Sequence, residues 1–236
     1  MNYIDAVIQD KDREIILEEF HLEPLKKQTV DRYTVERLSY VARKLFTLLE
    51  ETPTEAIIDI IEANKEKIPP LSTRDIPMFS DLKAVDIVPG IAESNPGASF
   101  PVIGSIMLPN NRAVNQRKWG ETHYRLAAMM RLVENGTKAE VTYLGREYEK
   151  LARPGSGEEG LRERDVLRPR LCLCSPCIQT LIVNSRHHHF EAMKMYRQML
   201  TENTAIRRRS CTKQMLNAIY ASCSSDEKMA ENLIWK

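Results

Sequence analysis

Hydrophobic residues recur at helical spacing through the first part of the chain. Between residues 31 and 50, Leu38, Val41, Leu45 and Leu49 lie three or four positions apart and form an amphipathic stripe. This is the spacing of a helix that packs one face on a core. We therefore expect a long amphipathic helix that ends near Glu50.

A second helix is predicted from the spacing of its apolar residues, such as Ile57 and Ile61, and from the residues at its two ends. Thr52 can cap the helix, Pro53 fits its first position, and Glu55 completes the pair of capping residues. The helix ends before Pro69-Pro70, because proline cannot continue a helix and restricts the residue before it. No set of catalytic residues stands out in this helical region.

The residues from Pro69 to Pro101 include six prolines and two glycines. Such a composition is typical of turns and loops. The sequence therefore predicts a connector over residues 70–100, with a domain boundary near residues 90–97.

The segment that follows changes from helical to alternating spacing. Apolar residues between Glu121 and Val133 recur at helical positions. Asn135-Gly136 then predicts a tight hairpin turn, followed by alternating residues at 139–144 and a short helix at 146–151. The order of helix, hairpin and short helix is that of a helix-turn-helix with a wing. An ordinary α+β domain with a solvated helix has the same order.

Several polar side chains in this segment suit contact with DNA, because a helix fits the major groove and its first residues meet bases and phosphates. Basic residues lie at and just before the predicted helix start, and one lies at the predicted hairpin tip. We expect phosphate contacts from Arg117, Lys118, Arg125 and Lys138. We expect base contacts from Thr122 and His123.

The last third of the chain repeats this theme after a predicted linker at residues 152–165. Residues 171–183 are almost all apolar and predict a buried helix, and residues 205–220 predict a cationic one. Cations in the first turns of a helix oppose its dipole, which a phosphate ligand would offset. The expected DNA contacts of this helix are Asn203, Arg207, Arg208, Arg209 and Lys213.

The charge of the chain is divided unevenly, although its net value is +1. Residues 1–95 carry 12 basic and 19 acidic side chains, and residues 96–236 carry 22 and 14. A basic half of this size is consistent with nucleic-acid binding and equally with a solvated basic surface. The chain has no apolar run long enough to cross a membrane and no export signal, so we expect a soluble cytoplasmic protein.

Two motifs raise the possibility of a metal site or a nuclease. Cys172, Cys174 and Cys177 precede the three histidines at 187–189, and Zn²⁺ binds both residue types. Their spacing is not that of a zinc finger, and the cysteines alternate with leucines, so we expect buried reduced thiols and no metal or other cofactor. The nearest fragments of a Mg²⁺-dependent nuclease centre are Glu62 with Lys65, on a predicted helix, and Asp81 with Lys83, in a predicted turn, whereas such a centre needs its acids and lysine on adjacent strands.

Two segments resemble winged-helix DNA-binding domains of restriction-modification and related defence systems. Residues 120–134 match a Gly-x-Thr-x-x-x-x-Ala-x-x-x-x-Leu-Val core, and residues 144–148 read Leu-Gly-Arg-Glu-Tyr. Residues 177–182 and 204–219 are similar to the corresponding helices of a second module, with Met215 where Trp is common.

The resemblance implies a mainly α protein with two winged-helix modules and a small β-hairpin. An acidic helical region at 1–95 precedes module 1 at 96–152 and module 2 at 166–236. The implied function is recognition of double-stranded DNA, as a recognition or regulatory subunit of a defence system. Two alternatives stay open: an adaptor that docks a partner ATPase or nuclease, with residues 1–95 as one contact surface, and a Mg²⁺-dependent restriction endonuclease.

Overall fold

The computed structural model is mainly helical in the part of the chain that it describes. These residues are 42–43, 45–47, 49–63, 66, 77–79, 81–151, 157–173, 178–179, 211 and 214–215. They include helical residues at 42–43, 45–47 and 49–51, then α1 (Thr54–Ala63), a 3₁₀ helix (Leu82–Ile87), α2 (Val88–Ser94), α3 (Phe100–Met107), α4 (Ala113–Met129), α5 (Tyr143–Lys150) and α6 (Gly157–Cys172). The prediction of a mainly α protein is confirmed for this part of the chain.

The two predicted helices of the front region are present where the chain is described. Leu45 and Leu49 are fully buried, as expected from their spacing. Helix α1 begins at Thr54, within one residue of the predicted start, and buries Ile57, Ile58 and Ile61. The hydrophobic pattern was therefore sufficient to locate this pair of helices.

Two segments predicted to be irregular are helical instead. Residues 82–94 form the 3₁₀ helix and α2, and Pro89 lies at the start of α2, a position where proline is compatible with a helix. Residues 157–172 form α6, although 152–165 were predicted to be a linker. Glu158 and Glu159 lie in the first turn of α6, where their negative charges interact favourably with the helix dipole. This stabilises the helix although the neighbouring glycines have low helix propensity.

Helices α3 and α4 meet backbone to backbone. A Cβ atom added to Gly104 would lie 1.6 Å from the carbonyl oxygen of Gln116, and one added to Gly120 would lie 2.0 Å from the carbonyl oxygen of Phe100. No real side chain tolerates such distances, so the two glycines are required for the close approach. Gln116 strengthens the contact, because its Nε2 donates to the carbonyl oxygen of Leu108 at 2.9 Å.

The segment after α4 turns back on itself through two isolated antiparallel bridges, Val133 with Val141 and Ser99 with Lys138. The described residues contain no longer strand than these bridges. Tyr124 of α4 explains part of this. Its buried hydroxyl donates to the carbonyl oxygen of Lys138 at 2.9 Å and accepts from the N–H of Glu140 at 3.1 Å. The Tyr124 hydroxyl therefore bonds the C=O of Lys138 and the N–H of Glu140, which would otherwise be available for pairing with a neighbouring strand.

The end of α4 fixes the direction of the returning chain. Arg131 adopts a left-handed conformation with φ of 61°, and the N–H of Leu132 donates to the carbonyl oxygen of Ala127 at 2.9 Å. This bond and the one from Arg131 N–H to Ala128 form a Schellman motif, which usually has glycine at the left-handed position. Leu132 is buried and leads directly into the first bridge.

The Leu-Gly-Arg-Glu-Tyr segment opens α5, and its residues pack on neighbouring elements. A Cβ atom on Gly145 would lie 1.9 Å from the carbonyl oxygen of Leu132, so α5 touches the chain that enters the bridge. Glu147 is buried and pairs with Lys150. Tyr148 is fully buried and donates its hydroxyl to Asp86 Oδ1 at 2.8 Å.

A buried polar cluster joins the 3₁₀ helix, α5 and α6. Arg168 of α6 donates two hydrogen bonds to the Asp86 carboxylate, from Nε to Oδ1 at 3.0 Å and from Nη2 to Oδ2. Arg164 donates from Nη2 to the carbonyl oxygens of Tyr148 and Glu149, both at 3.0 Å. Burial raises the pKa of the Tyr148 hydroxyl further above its ordinary value, and the negative charge of Asp86 adds to this. Arg168 is paired with Asp86 and Arg164 is bonded to backbone carbonyl oxygens, so this cluster is a structural junction.

Replacing Gly104 or Gly120 with alanine tests the backbone contact. Either variant must separate α3 from α4, and we expect a loss of about 3 kcal/mol or more of unfolding free energy, despite the higher helix propensity of alanine. Urea unfolding measures it. Gly136→Ala is the matched control, because nothing lies within 4 Å of a Cβ atom there. Equal stability of Gly120→Ala and Gly136→Ala would contradict the contact.

Removing the Tyr124 hydroxyl tests its role in the returning chain. Tyr124→Phe leaves a carbonyl oxygen and an N–H without this partner, so we expect a loss of about 1–3 kcal/mol in unfolding free energy. Tyr143→Phe serves as control, since the Tyr143 hydroxyl makes no hydrogen bond to a described residue, and we expect a change within about 0.5 kcal/mol. Thermal unfolding of both variants provides the comparison. If Tyr124→Phe has the wild-type unfolding free energy, other groups hold the returning chain in place.

Candidate nucleic-acid interface

Helix α4 begins at Ala113, eight residues before the predicted start at Glu121. Of the first six residues, five are exposed, and Gln116 is half-buried. The exposed set is Ala113, Val114, Asn115, Arg117 and Lys118. The first turns of α4 thus lie at the surface, while its later turns supply Tyr124, Leu126 and Ala127 to the core.

The cations near the start of α4 differ from most other described cations in having no carboxylate partner. Arg112, Arg117 and Lys118 are exposed, and none forms an ion pair with a described residue. Seven of the other described basic side chains pair with carboxylates: Arg43, Lys83, Arg125, Arg146, Lys150, Arg162 and Arg168. An unpaired positive surface therefore remains at the N-terminal half of α4, which we call the α4 cationic surface (Arg112, Arg117 and Lys118).

The backbone of α4 increases the positive character of this surface. The N-terminus of a helix carries a partial positive charge, and the first turn of α4 contains no acidic residue. Arg112 is the N-cap residue, and its side chain makes no capping hydrogen bond. Three cations and the helix dipole thus repel one another, and an anionic ligand would relieve this repulsion.

The other predicted contacts in α4 have different environments. Thr122 is half-buried and follows the exposed turns. Arg125 is exposed, but its Nε and Nη2 donate to Glu121 Oε1 at 3.1 and 2.9 Å, so its charge is balanced.

His123 was predicted to contact a base, and its position argues against this role. The side chain is 1% exposed, and its Nδ1 lies 2.9 Å from the carbonyl oxygen of Trp119. The imidazole also stacks on the Trp119 ring, with 4.6 Å between ring centroids. Burial lowers the pKa of His123, which favours the neutral form of the ring. His123 therefore belongs to the core, and its predicted place on the exposed face of the helix is wrong.

Lys138 lies on the returning arm of the turn, two residues after Gly136, and not at its tip. Its backbone bridges to Ser99, while its side chain is exposed. Glu134 and Glu140 belong to the same turn, and the N–H of Glu134 donates to the carbonyl oxygen of Glu140 at 2.8 Å. Burial and the charge of Glu140 raise the pKa of Glu134. Two carboxyl groups thus offset the single cation of this turn.

Three polar residues at the start of α4 were not among the predicted contacts: Asn111, Arg112 and Asn115. Asn111 Oδ1 accepts from the backbone N–H of Arg112 and from Asn115 Nδ2, both at 2.8 Å. Asparagine near a helix start is a familiar capping pattern. The absence of Pro and Gly between Pro109 and Gly120 also indicated that the helix could begin this early.

The expected contacts of the second module lie outside the described residues: Asn203, Arg207, Arg208, Arg209 and Lys213. Two neighbours of this cluster are described. Cys211 is buried and its Sγ lies 3.0 Å from the carbonyl oxygen of Phe79, and Met215 is fully buried. The predicted helix at 205–220 therefore has two residues in the core next to the 3₁₀ helix.

The described residues give no set of three His, Cys, Asp or Glu side chains placed to hold a metal ion. Cys172 is a buried thiol, and Cys174 and Cys177 lie outside the described ranges. The nuclease-like fragment has structural partners: Asp81 caps the 3₁₀ helix by accepting from Lys83 N–H, and Lys83 Nζ lies 3.3 Å from Asp165.

One pair of carboxyl groups makes stability depend on pH. Glu50 hydrogen-bonds to Glu163 of α6, and burial, followed by the charge of Glu163, raises the pKa of Glu50 to about 7. Burial also raises the pKa of Glu163. Because the folded pKa of Glu50 lies above its ordinary value of 4.5, this group favours folding below about pH 4.5. That contribution is lost as pH rises through about 7.

Glu50→Gln keeps a hydrogen-bonding side chain and removes the charge. We expect the variant to have a higher melting temperature than the wild type above about pH 7 and a similar one near pH 5. Glu66→Gln, at an exposed carboxyl, is the control and should leave the pH profile unchanged. Thermal unfolding across this pH range measures the effect, and an identical profile for wild type and Glu50→Gln would contradict the raised pKa of Glu50.

Within the described ranges, no helix has both the length and the apolar character that crossing a bilayer requires. Comparisons of the chain with protein-family models, with curated proteins and with solved structures give no match.

Proposed function

We propose that this protein binds double-stranded DNA through the N-terminal half of α4. The observation that carries the proposal is the α4 cationic surface, whose three side chains are exposed and have no carboxylate partner in the described chain. Basic side chains near a helix start contact phosphates, and an α-helix fits the major groove of DNA. A phosphate would also offset the repulsion between these cations and the dipole of α4.

The order of elements supports a winged helix-turn-helix for residues 82–150. Helix α2 comes first, Ser99 then bridges to the returning arm, and α3 and α4 follow as a tightly joined pair. The bridge between Val133 and Val141 stands where a wing would begin. In this arrangement α4 is the recognition helix and α3 supports it.

We further propose that DNA binding serves recognition or regulation within a restriction or related defence system. This part of the proposal draws on the resemblance of residues 120–134 and 144–148 to winged-helix domains of such systems. A second module at 166–236 would add its own contacts through the Arg207–Arg209 cluster. The proposal does not depend on that cluster, because the α4 cationic surface alone motivates it.

A second candidate function is docking of a partner protein. Val102 and Ile106 lie four positions apart on α3, and each is 44% exposed. Exposed aliphatic residues on one helix face suit a protein contact, although single exposed residues of this kind are common on monomers. DNA-binding measurements separate the two functions, since docking alone requires no affinity for a duplex.

The double variant Arg117→Ala/Lys118→Ala tests the proposal. Loss of two phosphate contacts should weaken binding to all duplexes, and the slope of log K against log salt should fall by about 2. Fluorescence anisotropy with a labelled duplex at several salt concentrations gives both quantities. Circular dichroism should show unchanged helicity, because both side chains are exposed.

The matched control is Lys83→Ala/Arg162→Ala, which removes two exposed cations from other elements. Each of these pairs with a carboxylate, so the control should keep the wild-type salt slope. If both double variants lose affinity equally, general charge and not α4 governs binding. If the wild type has no affinity for any duplex at low salt, the proposed function is wrong and docking becomes the preferred hypothesis.

A further inference from the structure

The carboxamide of Asn115 is held at the surface in one orientation. Asn115 is exposed in the first turn of α4, and its Nδ2 donates to Asn111 Oδ1 at 2.8 Å. The same oxygen accepts the backbone N–H of Arg112 at 2.8 Å, so Asn111 is fixed to the start of the helix. A side chain fixed before binding loses less conformational entropy on contact with a ligand.

The hydrogen-bonding groups left on Asn115 have a definite pattern. A carboxamide has two N–H donors and one oxygen acceptor. One donor is used by Asn111, and no described residue bonds the second donor or Oδ1. One N–H donor and the Oδ1 acceptor thus remain without a described partner at the surface of α4, where solvent or a ligand can reach them.

This pattern matches one base better than the others. In the major groove, adenine presents an acceptor at N7 and a donor at N6, and a carboxamide satisfies both at once. Guanine presents two acceptors there, so the Asn115 oxygen would face an acceptor and lose its hydrogen bond. Cytosine presents a single donor, which allows only one bond.

We infer that Asn115 is a specificity-determining residue that reads an adenine of an A·T pair, and that Asn111 is the positioning residue that orients it. The inference rests on the proposed function, because it requires α4 to lie in the major groove. The neighbouring cations Arg112, Arg117 and Lys118 have a different role, because they neutralise phosphates without regard to sequence. Affinity and base preference therefore reside in different side chains of the same helix.

The test separates these two properties. The full chain is used to select duplexes from a randomised pool, and the selected site and single-pair variants are then titrated at fixed salt. We expect one A·T position at which replacement by G·C weakens wild-type binding by roughly 5- to 150-fold. Asn115→Ala should bind the A·T and G·C duplexes equally, with its preference at all other positions retained.

Two further variants complete the test. Asn111→Ala should reduce the same A·T preference while affinity for non-specific DNA and the salt slope stay at wild-type values, which a general structural defect would not produce. Asn135→Ala removes another exposed asparagine, in the turn after α4, and should leave the preference unchanged.

The failures of the two proposals are distinguishable. If the wild type binds duplexes and Asn115→Ala keeps the same A·T preference, Asn115 does not read the base, whereas DNA binding by α4 stands. If the wild type binds no duplex, the proposed function fails and the base-reading role fails with it. Loss of preference in Asn135→Ala equal to that in Asn115→Ala would also overturn the assignment.

Discussion

The contact between the backbones of α3 and α4 is the constraint on which the rest of the structure depends. Gly104 and Gly120 leave no space for a side chain between the two helices. Two helices in backbone contact have little freedom to shift, because the atoms that meet belong to rigid elements and not to adaptable side chains. The later turns of α4 are thereby held in the core, and its first turns stay exposed.

Buried polar groups then connect this helix pair to its surroundings. Tyr124 bonds α4 to the returning arm, and Asp86 joins Arg168 and Tyr148 across three elements. The polar atoms of these side chains have hydrogen-bond partners, and this is the condition for polar groups to be tolerated in a core. Among the described basic residues, buried arginines such as Arg164 and Arg168 therefore bond structural partners, whereas the α4 cationic surface is exposed and has no carboxylate partner.

This division shows how far the sequence could predict the molecule. Strong apolar periodicity located the helices around Leu45 and Ile57, because those helices bury a regular face. The start of α4 was missed for the opposite reason: its first two turns contact α3 through the backbone and side chain of Gln116 and bury no apolar stripe, so the hydrophobic pattern gives no sign of them. The count of basic residues at 96–236 also overestimated the positive surface, because it includes Arg164 and Arg168, which lie in the core.

Other errors have equally specific causes. Prolines suggested a connector at 70–100, yet Pro89 and Pro101 lie at the starts of α2 and α3, where the missing N–H is not needed. His123 was assigned to the polar face by residue type alone, although it is four residues after Trp119 and shares its buried side. Contacts between distant segments, such as Cys211 with Phe79, have no local pattern that could predict them.

The central claim is that the exposed first turns of α4 lie against a duplex. Hydrogen exchange of the backbone amides, measured with and without bound DNA, tests it most directly, because protection reports which segment the ligand covers. We expect DNA to slow exchange over residues 109–118, with little change in α5 and α6. Protection confined to α5 or α6, or no change in any segment when DNA is bound, would contradict the account.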